Sequence, residues 1–301
     1  MKIFTIPEEE NMNSGHVACP GCASALSMRF ALKALGRETI LTVPACCWSV
    51  IDGPFPYSAV KVPLFHIAFG TTAAFASGIK AALKMKNKKA NVVVWCGDGE
   101  AFDIGFQTLS GAAERKENII FVCYDNEGYM NTGIQRSSAT PIKAWTTTTP
   151  QKYPKQEFKK DLMEIFAAHR IPYAATATVA FPEDMIRKFS KAKEIEGLKL
   201  IHILSPCPPG WKFPENLTIK ISRLAVETGI FPLYEIEHGE KYTINHIPKW
   251  LPVEDYLKKQ GRFSHLTGKD YQEKKASVEK KWLELREKSK SLEKIPKLSN
   301  N

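Results

Sequence analysis

Short runs of Val, Ile and Leu recur along the first half of this chain and contrast with the polar segments around them. Each run ends in turn-forming or polar residues, which is typical of strands buried on both faces of a parallel sheet. The predicted strands cover residues 38–45, 91–99 and 118–126. Between them, residues 73–86 and 103–116 have the apolar spacing of helices, and we expect Asp103 to be the N-cap of the second helix.

The same alternation of strand and helix patterns continues further along the chain. Helices are predicted at 161–170 and 182–195, and strands at 173–180 and 198–207. This order predicts a doubly wound α/β fold with a mostly parallel sheet, formed by residues 1–256. The segment 137–158 is rich in Thr, Pro and Lys without periodicity, so we expect a functional or interface loop there.

Residues 257–301 have a different character. They contribute more than half of the net charge of +10, but their acidic and basic residues interleave at helical spacing. This pattern predicts a basic helical extension that is solvated or docks onto another subunit, outside the compact core, and it does not favour nucleic-acid binding. A hydrophobic fraction of 44%, with no membrane-length apolar run and no export leader, predicts a globular cytoplasmic protein that does not bind membranes.

A glycine-rich turn with a carboxylate follows the second predicted strand, in "CGDGEAFDIG". Gly97 and Gly99 fit the start of a dinucleotide-binding fingerprint, but Phe102 stands where the third glycine is needed. Asp98, between the glycines, would also repel a diphosphate unless a divalent cation lay between them. The segment therefore favours a metal-bridged diphosphate over a dinucleotide.

Asn126 follows the next predicted strand, 28 residues after Asp98. Because adjacent parallel strands end at one edge of a sheet, the two side chains could supply oxygen ligands to Mg²⁺. The two segments resemble the thiamine diphosphate motif, in which Gly-Asp-Gly is followed at a similar distance by Asn. That resemblance implies that Asp98, Asn126 and the carbonyl group of Gly128 bind Mg²⁺. The alternatives are two ordinary surface turns, or an EF-hand loop, which the segment matches poorly.

The cysteines are odd in number and occupy positions 19, 22, 46, 47, 96, 123 and 207. Without an export signal they do not predict a disulfide framework. Cys96 and Cys123 lie within apolar strands, so we expect them to be small buried hydrophobic residues. Cys19 and Cys22 form a C-x-x-C pair, which with two further thiolates could bind an iron–sulfur cluster or a structural zinc ion.

Several motifs between residues 12 and 255 together resemble the beta subunits of pyruvate:ferredoxin oxidoreductase and related 2-oxoacid:ferredoxin oxidoreductases. The motifs are "HVACPGCA", "CCWSVIDGPFPY", "HIAFGTTAAFASGI", "CGDGEAFDIG", "DNEGYMNTGIQRSSATP", "SPCPPGW" and "AVETGIFPLYE". The resemblance implies the thiamine-diphosphate-binding fold. It also implies a [4Fe-4S] cluster bound by Cys19, Cys22, Cys47 and Cys207, with Asn131 close to the reacting carbons of the cofactor and substrate.

One departure from the family pattern concerns the third cluster ligand. The family usually has a single cysteine there, commonly after Gly, whereas this chain has both Cys46 and Cys47. The "PFPY" segment that follows fixes the register and favours Cys47 as the ligand, with Cys46 at the usual glycine position.

The activity implied by the resemblance is oxidative decarboxylation of a 2-oxoacid with coenzyme A, giving an acyl-CoA and carbon dioxide, or the reverse synthesis. Electrons would pass from the thiamine enamine through the [4Fe-4S] cluster to ferredoxin. The chain has room for only one such α/β domain, so an alpha subunit would supply the pyrimidine-binding domain. Gamma and delta-type subunits would complete the enzyme, and this chain alone would be inactive.

The substrate implied most often by this resemblance is pyruvate. Branched-chain oxoacids, aryl oxoacids, 2-oxoglutarate and oxalate are alternatives, because enzymes acting on them share the same motifs. Two other interpretations are a non-oxidative thiamine-dependent decarboxylase subunit with structural zinc, and a zinc-containing scaffold that binds nucleic acid through the basic extension.

Overall fold

The computed structural model describes residues 6–289, which contain one eight-stranded sheet. The strands are β1 (Thr39–Pro44), β2 (Leu64–Ile67), β3 (Asn91–Gly97), β4 (Ile120–Asp125), β5 (Tyr173–Thr178), β6 (Lys199–Leu204), β7 (Tyr234–Glu237) and β8 (Lys241–Ile244). Their order across the sheet is β2-β1-β3-β4-β6-β5-β7-β8. The first six strands in this order pair in parallel, and β7 and β8 add an antiparallel edge.

Helices cover both faces of the sheet, as expected for a doubly wound fold. They are α1 (Ala23–Leu35), α2 (Cys47–Ile51), α3 (Thr72–Met85), α4 (Phe106–Glu114), α5 (Leu162–Ala168), α6 (Pro182–Glu194), α7 (Pro208–Trp211), α8 (Thr218–Glu227), α9 (Val253–Leu257) and α10 (Gly268–Lys288). One apolar core packs α1 and α6 against the sheet, and the other lies under α3, α4, α5, α8 and α10. None of the described helices is long and apolar enough to cross a membrane.

The predicted alternating strands and helices are confirmed, apart from shifts of a few residues at their ends. The prediction that Asp103 caps a helix is wrong. Asp103 lies inside a π-helical turn, Gly99–Ile104, and α4 begins only after Gly105. The Asp103 carboxylate instead accepts hydrogen bonds from the Tyr129 hydroxyl at 3.0 Å and the Ser138 backbone N–H at 3.1 Å, so tertiary partners override the capping pattern.

The C-terminal extension is helical as predicted, but the expectation that it lies outside the compact core is wrong for residues 257–289. Val278, Trp282 and Leu285 are buried on one face of α10 and join the core beneath it. The Trp282 indole N–H donates to the carbonyl oxygen of Gly229 at 2.8 Å. This apolar stripe has the spacing of a buried helix face, which the surrounding charges mask in the sequence. Residues 290–301 lie outside the described residues.

Candidate functional site

The predicted metal ligands lie at the carboxyl ends of two neighbouring parallel strands. β3 pairs with β4 in a register that aligns Gly97 with Tyr124, so Asp98 and Asn126 follow their strands at the same edge of the sheet. In open α/β sheets this edge is where ligands bind. The structure therefore brings together the two segments that the sequence pattern had linked.

Three oxygen-bearing groups converge at this edge. The terminal amide atom of Asn126 lies 2.9 Å from Asp98 Oδ1 and 2.8 Å from the carbonyl oxygen of Gly128. In the protein alone the nitrogen of the amide must occupy this position and donate to both acceptors. With a cation among them, the amide oxygen can occupy it instead.

The spacing of these atoms fits a small divalent cation. Ligand oxygens at neighbouring corners of a Mg²⁺ octahedron lie about 2.8–3.0 Å apart, as follows from bond lengths of about 2.0–2.1 Å. One carboxylate, one amide and one backbone carbonyl are also ligand types that Mg²⁺ uses. The residues present therefore fit the metal that the thiamine diphosphate motif implies.

The electrostatics of Asp98 also indicate a place for a cation. Its side chain is fully buried, and burial, together with the nearby charge of Asp125, raises its pKa well above the ordinary value. The Ser137 hydroxyl donates to Asp98 Oδ2 at 2.5 Å and offsets part of this effect. A divalent cation beside Asp98 would favour the ionised carboxylate, which the protein alone disfavours.

Buried ion pairs hold the turn that carries Asn126 and Gly128. Asp125 accepts hydrogen bonds from the Glu127 backbone N–H at 2.9 Å and from His202 Nε2 at 2.7 Å. Although burial alone would raise it, the charges of Lys159 and His202 lower the pKa of Asp125 to about 2. Asp125 is therefore a fixed anion directly behind the three converging oxygen-bearing groups.

Glu127 is the second anchor of this turn, and sequence reasoning missed it. Its carboxylate pairs with Lys159 at 2.9 Å and with Arg262 Nη2 at 2.6 Å. The Arg262 guanidinium lies 3.8 Å from the centre of the Trp211 ring, and the Trp211 indole N–H donates to the carbonyl oxygen of Asn126 at 2.7 Å. Arg262, which belongs to the C-terminal extension, thus stabilises the turn through Glu127 and Trp211.

Glu100 is another functional candidate that the sequence did not reveal. This buried carboxylate accepts hydrogen bonds from the backbone N–H groups of Gly70 at 2.7 Å and Thr72 at 3.3 Å, and from the Thr72 hydroxyl. It therefore fixes the start of α3 relative to the π-helical turn that follows Asp98. The only available signal was its position next to the Gly-Asp-Gly segment.

The predicted glycines differ in how strictly they are required. A side chain at Gly99 would put its Cβ 2.3 Å from the Tyr129 ring, so only glycine fits. A Cβ at Gly128 would lie 3.0 Å from the carbonyl oxygen of Gln135, which is tight, whereas Gly97 has ordinary space. Asn131 is exposed in the turn after Tyr129, and no side-chain contact of Asn131 within the described residues supports its predicted role.

The four predicted cluster cysteines come from separate segments that meet beside this turn. Cys19 and Cys22 precede and cap α1, Cys47 begins α2, and Cys207 caps α7. Burial and the neighbouring charges of Cys207, Cys46, Cys22 and Cys19 raise the pKa of Cys47. Burial, with the charges of Cys22 and Cys19, also raises the pKa of Cys207 to about 12. The four thiols are therefore near enough to one another to interact electrostatically.

Cys46 faces a different environment. Burial raises the pKa of its thiol, and its hydrogen-bonding neighbours are the Tyr124 hydroxyl and the backbone of Ser49 and Trp48. Cys96 and Cys123 are fully buried in β3 and β4, as predicted. In residues 6–289, no three Cys, His, Asp or Glu side chains are arranged around a single metal ion. In a [4Fe-4S] cluster, each thiolate binds a separate iron, so the four thiols need only surround the cluster.

Comparison with known proteins gives concordant results. Residues 49–203 match the family model for the thiamine pyrophosphate enzyme C-terminal TPP binding domain. The ketoisovalerate oxidoreductase subunit VorB of Pyrococcus abyssi is 50% identical, over 94% of this chain and 94% of its own length. The pyruvate synthase subunit PorB of Methanocaldococcus jannaschii is 48% identical, over 93% of this chain and 98% of its own length.

A solved structure shares the fold at greater distance. It is the 2-oxoglutarate:ferredoxin oxidoreductase from Magnetococcus marinus, with a TM-score of 0.58 and 23% identity, covering 73% of this chain and 82% of that chain. The sheet and the sequence relatives lead to one conclusion. The protein belongs to the 2-oxoacid:ferredoxin oxidoreductase family and is an enzyme subunit of the beta type.

Proposed function

We propose that this chain forms the thiamine diphosphate and [4Fe-4S] half of an enzyme that oxidatively decarboxylates a short aliphatic 2-oxoacid. The products are an acyl-CoA, carbon dioxide and reduced ferredoxin, and the same site can run the reverse synthesis. The observation that carries the proposal is the convergence of Asp98, Asn126 and the Gly128 carbonyl group at 2.8–2.9 Å. Convergent acceptors at the ends of parallel strands suit a diphosphate bound through Mg²⁺.

Each predicted residue has a role in this proposal. Asp98, Asn126 and Gly128 hold Mg²⁺, and Gly97 and Gly99 let the backbone approach the diphosphate. Asn131, on the exposed rim of the same turn, orients the substrate. When bound, thiamine diphosphate supplies the electron sink that allows the bond to the substrate carboxylate to break.

The four cysteines, whose thiols interact electrostatically, would hold the [4Fe-4S] cluster that accepts the electrons. Trp211 supports this assignment, because it lies in α7 next to Cys207 and its indole N–H reaches the carbonyl oxygen of Asn126 at 2.7 Å. The cofactor turn and the Cys207 segment are therefore in direct contact. That proximity suits single-electron transfer between the two centres.

The remaining parts of the proposed enzyme lie on other chains. Relatives of this chain are named as subunits, which supports assembly into a multi-subunit complex. An alpha subunit would supply the pyrimidine-binding domain, gamma and delta-type subunits would complete the complex, and cytoplasmic ferredoxin would receive the electrons. Coenzyme A, which is bound in the Magnetococcus marinus structure, would accept the acyl group.

The proposed substrates are pyruvate and 2-ketoisovalerate. The relatives named for these two substrates have nearly equal identity to this chain, 48% and 50%, so overall identity favours neither. Both are short aliphatic 2-oxoacids that differ only in the size of the group on the carbonyl carbon. A substrate panel is therefore part of the decisive experiment.

The experiment uses the complex co-expressed with its neighbouring subunits and purified without oxygen. Iron, acid-labile sulfide and thiamine diphosphate are measured per chain, and the visible spectrum is followed after addition of coenzyme A and each oxoacid in turn. We expect about four irons attributable to this chain and bleaching with pyruvate or 2-ketoisovalerate. Zinc in place of iron, with no bleaching by any oxoacid, would rule out the proposed function.

A further inference from the structure

A large cavity, with Glu127 in its wall, lies between the sheet and α10. Its volume is about 550 Å³, within the range of about 300–1,000 Å³ typical of small-molecule sites. Leu204 and Phe231 contribute buried wall residues, and the exposed Phe158 and Ser277 border the opening. The cavity uses none of the proposed ligands of Mg²⁺ or of the cluster.

Most charged groups in the wall are already paired. Lys143 pairs with Asp270 at 2.5 Å, Lys281 with Asp161 at 3.3 Å, and Lys159 with Asp125 and Glu127. Within each pair, the opposite charges neutralise each other. They leave the apolar walls to determine most of the binding properties of the cavity.

Lys274 is the exception. It projects from α10 into the cavity wall, half-buried, and within the described part of the chain its ammonium group has no ion pair or hydrogen bond. Glu127 attracts it, but that carboxylate is already bound by Lys159 and Arg262. Burial, with Lys159, Lys281 and Arg262, lowers the pKa of Lys274 to about 8, so the charged form still predominates at neutral pH.

We propose that this cavity is a second ligand site, which binds an apolar monocarboxylate through an ion pair with Lys274. A half-buried ammonium group without an ion pair is stabilised by an anion that accepts its hydrogen bonds. The single ammonium group of Lys274 can form an ion pair with one carboxylate group of a ligand. Polyphosphates and dicarboxylates fit poorly, because Glu127, Asp161, Asp270 and Glu273 also line the cavity and would repel further negative charge.

The test is calorimetric titration of the co-expressed complex at neutral pH with sodium octanoate, compared with 1-octanol as the uncharged probe. We expect one octanoate site per copy of this chain and binding of octanol weaker by about tenfold or more, because octanol lacks the charge-assisted hydrogen bond. Lys274→Met keeps the length and apolar stem of the side chain. It should weaken octanoate binding by a similar factor and leave octanol binding unchanged.

Lys275→Met is the matched control, since Lys275 is an exposed neighbour that pairs with Glu279 at 3.9 Å. It should leave octanoate binding unchanged. Ser277→Trp, at the opening, should obstruct both probes without removing a charge. The proposal is overturned if octanoate does not bind the complex, if octanol binds equally well, or if the Lys274 and Lys275 variants behave alike. None of these outcomes depends on the thiamine or iron content, so the proposed function is tested separately.

Discussion

Two candidate sites lie next to each other but are built in different ways. The oxygen site consists of Asp98, Asn126 and the Gly128 carbonyl group, and the cysteine site consists of Cys19, Cys22, Cys47 and Cys207. Asp98 and Asn126 follow adjacent strands, so the sheet itself fixes their separation, and the ion pairs of Glu127 with Lys159 and Arg262 stabilise the turn between Asn126 and Gly128. The cysteines come from the segment before α1 and from the starts of α2 and α7, and Cys19 is exposed. One site is preformed by the core, whereas the other depends on three separate loops.

The two sites also differ in their electrostatics. In the cysteine site, burial raises the pKa values of Cys22, Cys47 and Cys207, so their thiols stay protonated in the protein alone. Assembly of the proposed cluster would have to displace those protons, and the iron would then hold the loops together. We therefore expect loss of a cysteine to abolish its site, while changes around the oxygen site should weaken binding in graded steps.

The largest effect is expected at Cys47. Cys47→Ser should remove a cluster ligand and abolish oxoacid-dependent bleaching in the co-expressed complex. Cys46→Ser is the matched control, because the Cys46 thiol faces Tyr124 and should be replaceable with little change in iron content. Iron analysis and visible spectra distinguish the two variants. Retention of a full cluster in the Cys47 variant, with loss in the Cys46 variant, would reverse the assignment.

The next effect concerns the charge of Asp98. Asp98→Asn keeps the shape but removes the charge of the proposed Mg²⁺ ligand, so binding of thiamine diphosphate with Mg²⁺ should weaken by about 100-fold or more. The cofactor-free complex should melt no lower than wild type, because the variant removes a buried carboxylate whose pKa burial raises. Calorimetric titration and thermal melting measure the two effects.

Asp103→Asn is the control for that variant, since Asp103 lies in the π-helical turn that follows Asp98 but faces Tyr129 and Ser138. We expect its cofactor affinity to remain within a few-fold of wild type. Equal losses in the two variants would mean that any carboxylate of the turn matters, and would contradict a specific metal ligand at Asp98.

A smaller effect is expected at Arg262, which contacts Glu127 beside the oxygen site and Trp211 near Cys207. Lys cannot stack on Trp211 and pair with Glu127 in the same geometry, so Arg262→Lys should loosen the turn and weaken cofactor binding by about tenfold. Arg286→Lys is the control, because Arg286 lies 5.4 Å from Trp250 in the same extension but away from the turn. Similar cofactor affinities for the two variants would show that Arg262 has only a general structural role.

The part of this arrangement that could be predicted from the sequence is the part set by local pattern. Strand ends and motif spacing led to Asp98 and Asn126, because a parallel sheet converts that spacing into proximity. Arg262 gave no such signal, since it stands among many basic residues and acquires its role only by packing on Trp211. Trp282 was missed for a related reason, because the charges of α10 mask its apolar stripe.

The smallest expected effect tests whether the oxygen site responds in graded steps to loss of a single hydroxyl group. The fully buried Thr140 hydroxyl donates to the carbonyl oxygen of Glu127 at 2.8 Å, in the middle of the turn, and accepts from the Ser137 backbone N–H at 3.0 Å. Thr140→Val leaves that carbonyl oxygen without its donor, and a cost of about 1 kcal/mol should weaken cofactor binding about fivefold. Thr147→Val removes a bond of the same kind, from the Thr147 hydroxyl to the Gly133 carbonyl at 2.8 Å, in an exposed position. If calorimetry finds no difference between the two variants, the turn tolerates loss of this bond and its ion pairs alone fix it.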